Sequence, residues 1–95
     1  MYPEIRSFAI MADNNFYIEF SSGESGLFNM SPYMKSSFFS ALHNEEYFRS
    51  AHLEFGVITW PNGQDISPAT MHLEMVPCER PQGIELKTAN VHATS

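Results

Sequence analysis

The chain has 95 residues, of which 43% are hydrophobic and 14% aromatic. This length provides one hydrophobic core, and this apolar content excludes a disordered chain. The formal charge of −6 falls within residues 1–77, where nine acids face three bases. Because affinity for phosphates needs clustered Lys and Arg, this charge argues against nucleic-acid binding by the protein itself. It favours a basic protein partner, although acidity also keeps small domains soluble.

The single cysteine, Cys78, rules out an internal disulfide and is typical of a reducing compartment. Near the start, only five consecutive residues are apolar, from Phe8 to Ala12, and Glu4 and Arg6 precede them. Such a run is too short for an export signal or a membrane span. We therefore expect a cytoplasmic protein without membrane association.

Residues 4–30 have the pattern of an antiparallel meander. Three strands are predicted, over residues 4–11, 16–21 and 26–30, and the turn-forming segments ADNN and SGES separate them. The second strand, FYIEFS, alternates strictly, which predicts that only one of its faces is buried. Its inward residues are then Phe16, Ile18 and Phe20, and its outward residues are Tyr17, Glu19 and Ser21.

Ser31 and Pro32 predict the start of a first helix, because serine caps free N–H groups and proline fits the first helical position. A break is expected at Asn44, before a further helical turn that carries Tyr47 and Phe48. The helix has an apolar stripe formed by Met34, Phe38, Ala41 and Leu42. The stripe is interpreted as core, and an adaptable partner-facing surface is the alternative.

Residues 51–60, AHLEFGVITW, predict a β-hairpin centred on Phe55 and Gly56. Period-two alternation places Ala51, Leu53 and Phe55 on one face of its first strand, opposite His52 and Glu54.

The most informative stretch is WPNGQDISP, residues 60–68. Pro-Asn-Gly suits consecutive positions of a turn, and the Asp65 carboxylate is able to accept backbone N–H groups that brace it. Trp60 is expected to pack against the core and to donate its indole N–H to a carbonyl. The main interpretation is a structural joint between a strand and a helix. The alternative is a loop that presents Trp60, Asn62 and Asp65 to a ligand or partner.

A second helix, PATMHLEMV, follows this joint. Ser67 is its predicted cap and Pro68 its first residue, while Ile66 and Met71 are predicted to pack together across its start. Pro77 is expected to end it.

These elements predict an α+β fold with a small antiparallel or mixed sheet, built from the meander and the hairpin, and two to three short helices. A single domain is expected over residues 1–77. Residues 78–95 are expected to form a C-terminal tail, either partly disordered or contributing an extra edge strand. Open strand edges would also permit a homo-oligomer.

Residue spacing gives no indication of a reaction centre. The four histidines are isolated, the nearest two being His43 and His52, and zinc sites normally have closely spaced ligand pairs. Cys78 follows the end of a helix, where the helix dipole disfavours a thiolate. We therefore predict no catalytic residue, no metal site and no cofactor.

Residues 57–68, VITWPNGQDISP, resemble the bacterial domain of unknown function 2442 family. Two earlier segments, SSGESGLFNMSPYM and FFSALHNEEYFRSAHLEFG, agree with it, so the resemblance covers about residues 4–76. It implies an α+β domain without an established enzymatic activity. The resemblance also implies one of two arrangements: pairing with a neighbouring small gene, as in toxin–antitoxin pairs, or fusion to a helix-turn-helix DNA-binding segment. This chain departs from the fused form, because nothing after Pro77 is long or basic enough.

The sequence thus predicts a small acidic, non-enzymatic protein-interaction module, antitoxin-like in binding a basic protein. Its predicted binding residues are Trp60, Asn62, Asp65 and Glu54. The alternative is a small-molecule-binding protein or enzyme with a pocket near the loop from Trp60 to Asp65.

Overall fold

The computed structural model describes residues 3–88. Its larger sheet is antiparallel and has the strand order β7-β3-β2-β1-β8. The three central strands form the predicted meander, and two very short strands from the C-terminal part of the chain lie at the two edges. The strands are β1 (Ile5–Met11), β2 (Asn15–Phe20), β3 (Ser25–Asn29), β7 (Val76–Pro77) and β8 (Lys87–Thr88).

A second, antiparallel sheet has the order β4-β5-β6. Its strands are β4 (His52–Glu54), β5 (Val57–Thr59) and β6 (Asp65–Ile66). The predicted hairpin forms β4 and β5, and the segment after the Pro-Asn-Gly turn adds β6. The two sheets and the short helices confirm the α+β fold class.

The predicted first helix is instead two 3-10 segments, Ser31–Lys35 and Ser37–His43, separated by an extended Ser36. The predicted serine cap is wrong, because the Ser31 side chain does not cap this segment. Serines compete for backbone hydrogen bonds and weaken a continuous α-helix here. The break also shifts the apolar stripe, so that Phe39 is buried whereas Phe38 is 57% exposed.

Two short α-helices complete the domain, α1 (Glu45–Phe48) and α2 (Pro68–Glu74). Both begin where the sequence predicts: Asn44 accepts the Tyr47 N–H at 2.9 Å, and Ser67 accepts the Ala69 N–H at 3.2 Å. A further 3-10 turn, Ala12–Asn14, joins β1 to β2. No helix within residues 3–88 is long and apolar enough to cross a membrane.

One hydrophobic core joins the inner faces of both sheets, the 3-10 segments and the two α-helices. Burial confirms most of the predicted core, including the pair at the start of α2. Its largest fully buried side chains include Trp60, Phe8, Phe16, Phe20, Phe28, Met30, Leu42 and Met71.

The second face of the larger sheet is covered as well, which corrects the prediction of a half-buried β2. Tyr17 is 1% exposed and Glu19 is 5% exposed. The cover is residues 78–88, called the strap below. It starts beside β3, where the Cys78 N–H donates to the Ser25 carbonyl at 3.1 Å, and it ends as β8 against β1. Because β7 and β8 lie at opposite edges, the strap crosses the sheet.

Part of the C-terminal tail thus forms the edge strand that was one of its two predicted states. Residues 89–95 of that tail lie outside the described residues.

Candidate functional site

The outer face of the three-stranded sheet brings together two of the predicted binding residues. Thr59 pairs with His52 on one side and with Asp65 on the other, while Glu54 pairs with Val57. Since side chains alternate along a strand, these five point away from the buried Leu53, Ile58 and Ile66. We call this surface the small-sheet face.

Three acids line this face or adjoin it. Glu54 and Asp65 are exposed. Glu4 lies beside the hairpin turn, since the Ile5 N–H donates to the Gly56 carbonyl at 3.1 Å. The partner of Glu54 is His52, whose Nε2 lies 3.0 Å from Oε2. Within residues 3–88, no Lys or Arg forms an ion pair with any of these acids. The face therefore carries uncompensated negative charge.

Phe55 projects from the turn at one end of the small-sheet face. Its side chain is 96% exposed, so the prediction that it shares the inner face of Ala51 and Leu53 is wrong. The reason is the turn itself: φ is 53° at Phe55 and 77° at Gly56, which ends the strand alternation. A two-residue turn of this kind needs positive φ at both positions, and Asn-Gly is its preferred sequence.

The loop at the other end of the face is built on Trp60, which is 1% exposed. Its indole N–H donates to the Phe48 carbonyl at 3.0 Å, which confirms the predicted bond. Its ring lies 6.0 Å from that of Phe16, 6.2 Å from that of Phe48 and 6.4 Å from that of Phe39. The indole is therefore unavailable for surface contact, and Trp60 supports the loop from inside.

Tyr47 fastens the loop from α1. Its hydroxyl accepts the Asn62 N–H at 2.9 Å and donates to the Gln64 Oε1 at 2.5 Å. The Trp60 N–H donates to the Gln64 carbonyl at 2.8 Å. These bonds hold Asn62 on the surface.

Replacing Tyr47 by phenylalanine is expected to loosen the loop without unfolding the domain. Two hydrogen bonds are lost at a partly exposed site, so the free energy of unfolding should fall by about 1–2 kcal/mol. Amide exchange at Asn62, measured by NMR, should accelerate. Tyr33→Phe is the matched control, since that hydroxyl bonds Glu74 elsewhere. Unchanged exchange at Asn62 in Tyr47→Phe would show that the hydroxyl does not hold the loop.

The four predicted binding residues thus have different environments. Glu54 and Asp65 share one face, Asn62 lies on the loop next to it, and Trp60 lies in the core. Asp65 belongs to β6. The sequence missed Phe55 as a surface residue, although the predicted turn centre at Phe55 and Gly56 was the signal that pointed to it.

Two hollows adjoin helix α1. A shallow groove lies beside the loop, and Trp60 and Asp65 do not line it; its lining residues are Ala41, Asn44, Glu46, Tyr47, Ser50 and Pro61. The other hollow has a volume of about 320 Å³ and lies between α1 and the turn after β1. Asp13 and Asn14 at its rim have φ of 61° and 64°. The alternative function was predicted to use a pocket near the loop from Trp60 to Asp65, and the groove reaches this loop at Pro61.

A buried carboxylate lies under the strap. Glu19 accepts hydrogen bonds from the Arg80 Nε at 2.6 Å and Nη2 at 2.8 Å. It also accepts from the Tyr17 hydroxyl at 2.8 Å and from the Ser7 hydroxyl at 3.1 Å. Arg6 lies 3.4 Å away. These donors, the Arg80 guanidinium foremost, lower the pKa of Glu19 to about 2 in spite of its burial. We call this group of residues the Glu19 pocket.

A register shift in β1 between Ile5 and Ser7 positions two of these donors. An extra residue in one strand places neighbouring side chains on the same face of the sheet, so that Arg6 and Ser7 both reach Glu19. Arg80 lies 61 residues away in sequence. No local pattern indicates this pair, and the sequence analysis missed it.

Other ionisable groups are dispersed. Within residues 3–88, no three His, Cys, Asp or Glu side chains are grouped closely enough to hold a metal ion. Cys78 is a free, partly buried thiol.

A family model described as "Protein of unknown function (DUF2442)" matches residues 5–74. No curated protein and no solved structure matches the chain. The family match extends from β1 to α2, so it includes the small-sheet face and Glu19 but ends before the strap. Since it covers more than half of the residues, the chain belongs to the DUF2442 family.

Proposed function

We propose that this protein is a non-enzymatic interaction module that binds a basic protein through the small-sheet face. Phe55 is the apolar contact of this site, and Glu54, Asp65 and Glu4 supply its charge. Asn62 lies at the edge of the contact.

The conformation of Phe55 carries the proposal. A bulky residue at positive φ costs about 1–2 kcal/mol relative to residues suited to that conformation. The side chain gains no burial in return, being 96% exposed. An exposed aromatic side chain in a strained turn is a cost to the fold, and contact with a partner is a reason for keeping it. Aromatic residues are enriched among those that dominate binding energy at protein interfaces.

The charge of the site supports a basic partner. Among the described residues, no Lys or Arg forms an ion pair with the acids of the face, whereas Glu19 and Glu45 are paired with arginines. A partner with Lys or Arg around an apolar pocket would complement both Phe55 and its surroundings. Such charge complementarity mainly accelerates and orients association.

The antitoxin-like role is the specific form of this proposal, with the product of an adjacent gene as the basic partner. Co-expression followed by size-exclusion chromatography tests it. The two proteins should elute together at low ionic strength and separate near 1 M salt, where charges are screened beyond about 3 Å. Separate elution at low ionic strength would contradict the role.

The variant Phe55→Asn should change stability and partner affinity in opposite directions. Asparagine tolerates the left-handed conformation, so the free energy of unfolding should rise by about 1 kcal/mol. Affinity for the co-eluting partner should fall at least about 10-fold, because the central aromatic contact is lost. Urea unfolding and calorimetric titration measure the two effects.

Leu73→Ser is the matched control, since Leu73 is another large apolar residue, 82% exposed, on α2. It should leave the affinity unchanged. If Phe55→Asn binds as tightly as the original protein, or if Leu73→Ser weakens binding equally, the small-sheet face is not the binding site.

A further inference from the structure

The Glu19 pocket has the chemistry of a receptor for one guanidinium group. Its carboxylate side chain is 7% exposed, and both of its oxygens bond to Arg80, one to Nε and one to Nη2. This two-point geometry matches the planar fork of arginine and not the single ammonium of lysine. Tyr17 and Ser7 donate to the same oxygens and fix the carboxylate in place.

The pocket needs a cation to occupy it. With Arg80 in place Glu19 is charged at neutral pH, since this guanidinium lowers the pKa of the carboxyl group to about 2. Without Arg80, the nearest cation would be Arg6, whose Nη2 is 3.4 Å away and whose side chain is 56% exposed. A carboxylate that keeps its Tyr17 and Ser7 donors but has lost its main counter-ion favours a new guanidinium, which makes the vacant pocket a site for any accessible arginine.

Arg80, the group that fills the pocket, lies on the strap between its two attached ends. Its side chain is 56% exposed, so the guanidinium closes the pocket from the solvent side. None of the residues 78–88 of the strap is fully buried. Its main-chain attachment consists of bonds to Ser25 and two residues paired with β1.

The far end of the strap is anchored by Lys87, whose Nζ donates to the Arg49 carbonyl at 2.7 Å and to the Ala51 carbonyl at 2.8 Å. The same Nζ lies 5.8 Å from the centre of the Phe8 ring. Between the two attached ends, Arg80 is the side chain that bonds to the sheet, so residues 79–86 can lift from its outer face while the ends stay in place.

We propose that the Glu19 pocket is an arginine-recognition site, that Arg80 is its intramolecular occupant, and that an arginine-bearing extended segment of another protein displaces the strap. The incoming segment lifts residues 79–86 from the outer face of the sheet and places its arginine on Glu19 in place of Arg80. This site lies on the larger sheet, it is separate from the small-sheet face, and it does not depend on the function proposed there.

The position of the family match agrees with this inference. The matched residues, 5–74, include Glu19 and the groups around it, whereas Arg80 lies outside them. The family match therefore covers the receptor residues but not their occupant.

A peptide with the sequence of the strap, CERPQGIELKT with serine replacing its cysteine, is a suitable probe. It is titrated into the full chain carrying Arg80→Gln, and binding is followed by fluorescence anisotropy. Tight binding is expected, at least about 10-fold tighter than to the original protein, where the tethered Arg80 competes at a high effective concentration. The original protein should still bind the peptide measurably at higher concentrations.

Two controls make the result specific. A peptide with citrulline in place of its arginine has the same shape without the charge, and it should bind at least about 10-fold more weakly. The double variant Glu19→Gln/Arg80→Gln should lose the preference for arginine. Circular dichroism verifies folding, and Arg80→Lys, which keeps a charge but not the fork, replaces Arg80→Gln if that variant does not fold.

Three results would overturn the inference. The first is that folded Arg80→Gln does not bind the peptide. The second is equal affinity for the arginine and citrulline peptides. The third is that the original protein does not bind at any concentration, which would mean that the strap is a permanent part of the fold.

Discussion

Replacing Trp60 by alanine is expected to lower the free energy of unfolding by about 3–5 kcal/mol. The side chain is 1% exposed and lies among three aromatic rings, so its removal leaves a large cavity. It also leaves the Phe48 carbonyl without its indole donor. Domains of this size are stable by about 5–15 kcal/mol, so a large part of the total is lost.

Urea unfolding followed by circular dichroism measures this loss, because the variant no longer contains a tryptophan for fluorescence. Trp60→Phe should lower the free energy of unfolding less than Trp60→Ala does, by roughly 1–3 kcal/mol. It keeps an aromatic ring but loses the N–H donor. Leu73→Ala is the surface control and should change stability by less than about 0.5 kcal/mol. If Trp60→Ala stayed within about 1 kcal/mol of the original protein, its central place in the core would be refuted.

Replacing Glu19 by glutamine should remove about 2–3 kcal/mol at neutral pH and also change how stability depends on acid. Glutamine has nearly the same shape but no charge, so Arg80 loses its counter-ion. The lower end of this range allows for the exposure of Arg80 to solvent, which screens part of the attraction.

The acid dependence follows from the sign of the pKa shift. The pKa of Glu19 is lowered from 4.5 to about 2 by folding, chiefly by Arg80. Its contribution to stability is therefore complete above pH 4.5, decreases as the pH falls towards 2, and is absent below that. In Glu19→Gln, stability should fall less steeply over this interval, and the two proteins should approach the same stability near pH 2.

Urea titrations at several pH values provide the comparison, and Glu24→Gln is the control. The pKa of Glu24 is also lowered, by its hydrogen bond with His72, but its side chain is 57% exposed. That variant should retain most of the acid dependence. Parallel pH curves for the original protein and Glu19→Gln would mean that the Glu19 ion pair does not contribute to folding.

Local sequence signals predicted the elements whose causes are local. The period-two alternation of FYIEFS, the turn residues around Gly63 and the cap at Ser67 all depend on residues within a few positions of each other. The indole N–H of Trp60 was predicted to find a carbonyl because a buried donor needs an acceptor. In each case the physical requirement is contained in a short segment of the chain.

The errors had two causes, the meeting of distant segments and local backbone changes that interrupt a sequence period. Tyr17 and Glu19 look like the outward residues of a half-buried strand, and only the arrival of the strap changes their environment. The alternation of Phe55 with Glu54 predicted an inward side chain, but the backbone of the turn overrides strand periodicity. Phe38 was predicted to lie in the core, but Phe39 is buried there instead, because an extended Ser36 changes the direction of the helical segment.

The candidate site was predictable in part, because local signals in the sequence selected two of its acids. Glu54 and Asp65 were selected as surface acids near a loop, and the register of three short strands places them on one face. The Glu19 pocket was not predictable, since its acid and its main cation come from opposite ends of the chain.

The strap has a consequence for how the protein matures during translation. It is synthesised after every strand that it covers, so β1 emerges with its outer edge unpaired and with Glu19 still open to water. Unpaired edges are templates for association with other chains. The interval between the synthesis of α2 and the docking of Arg80 is therefore the period in which a newly made copy is most exposed to aggregation.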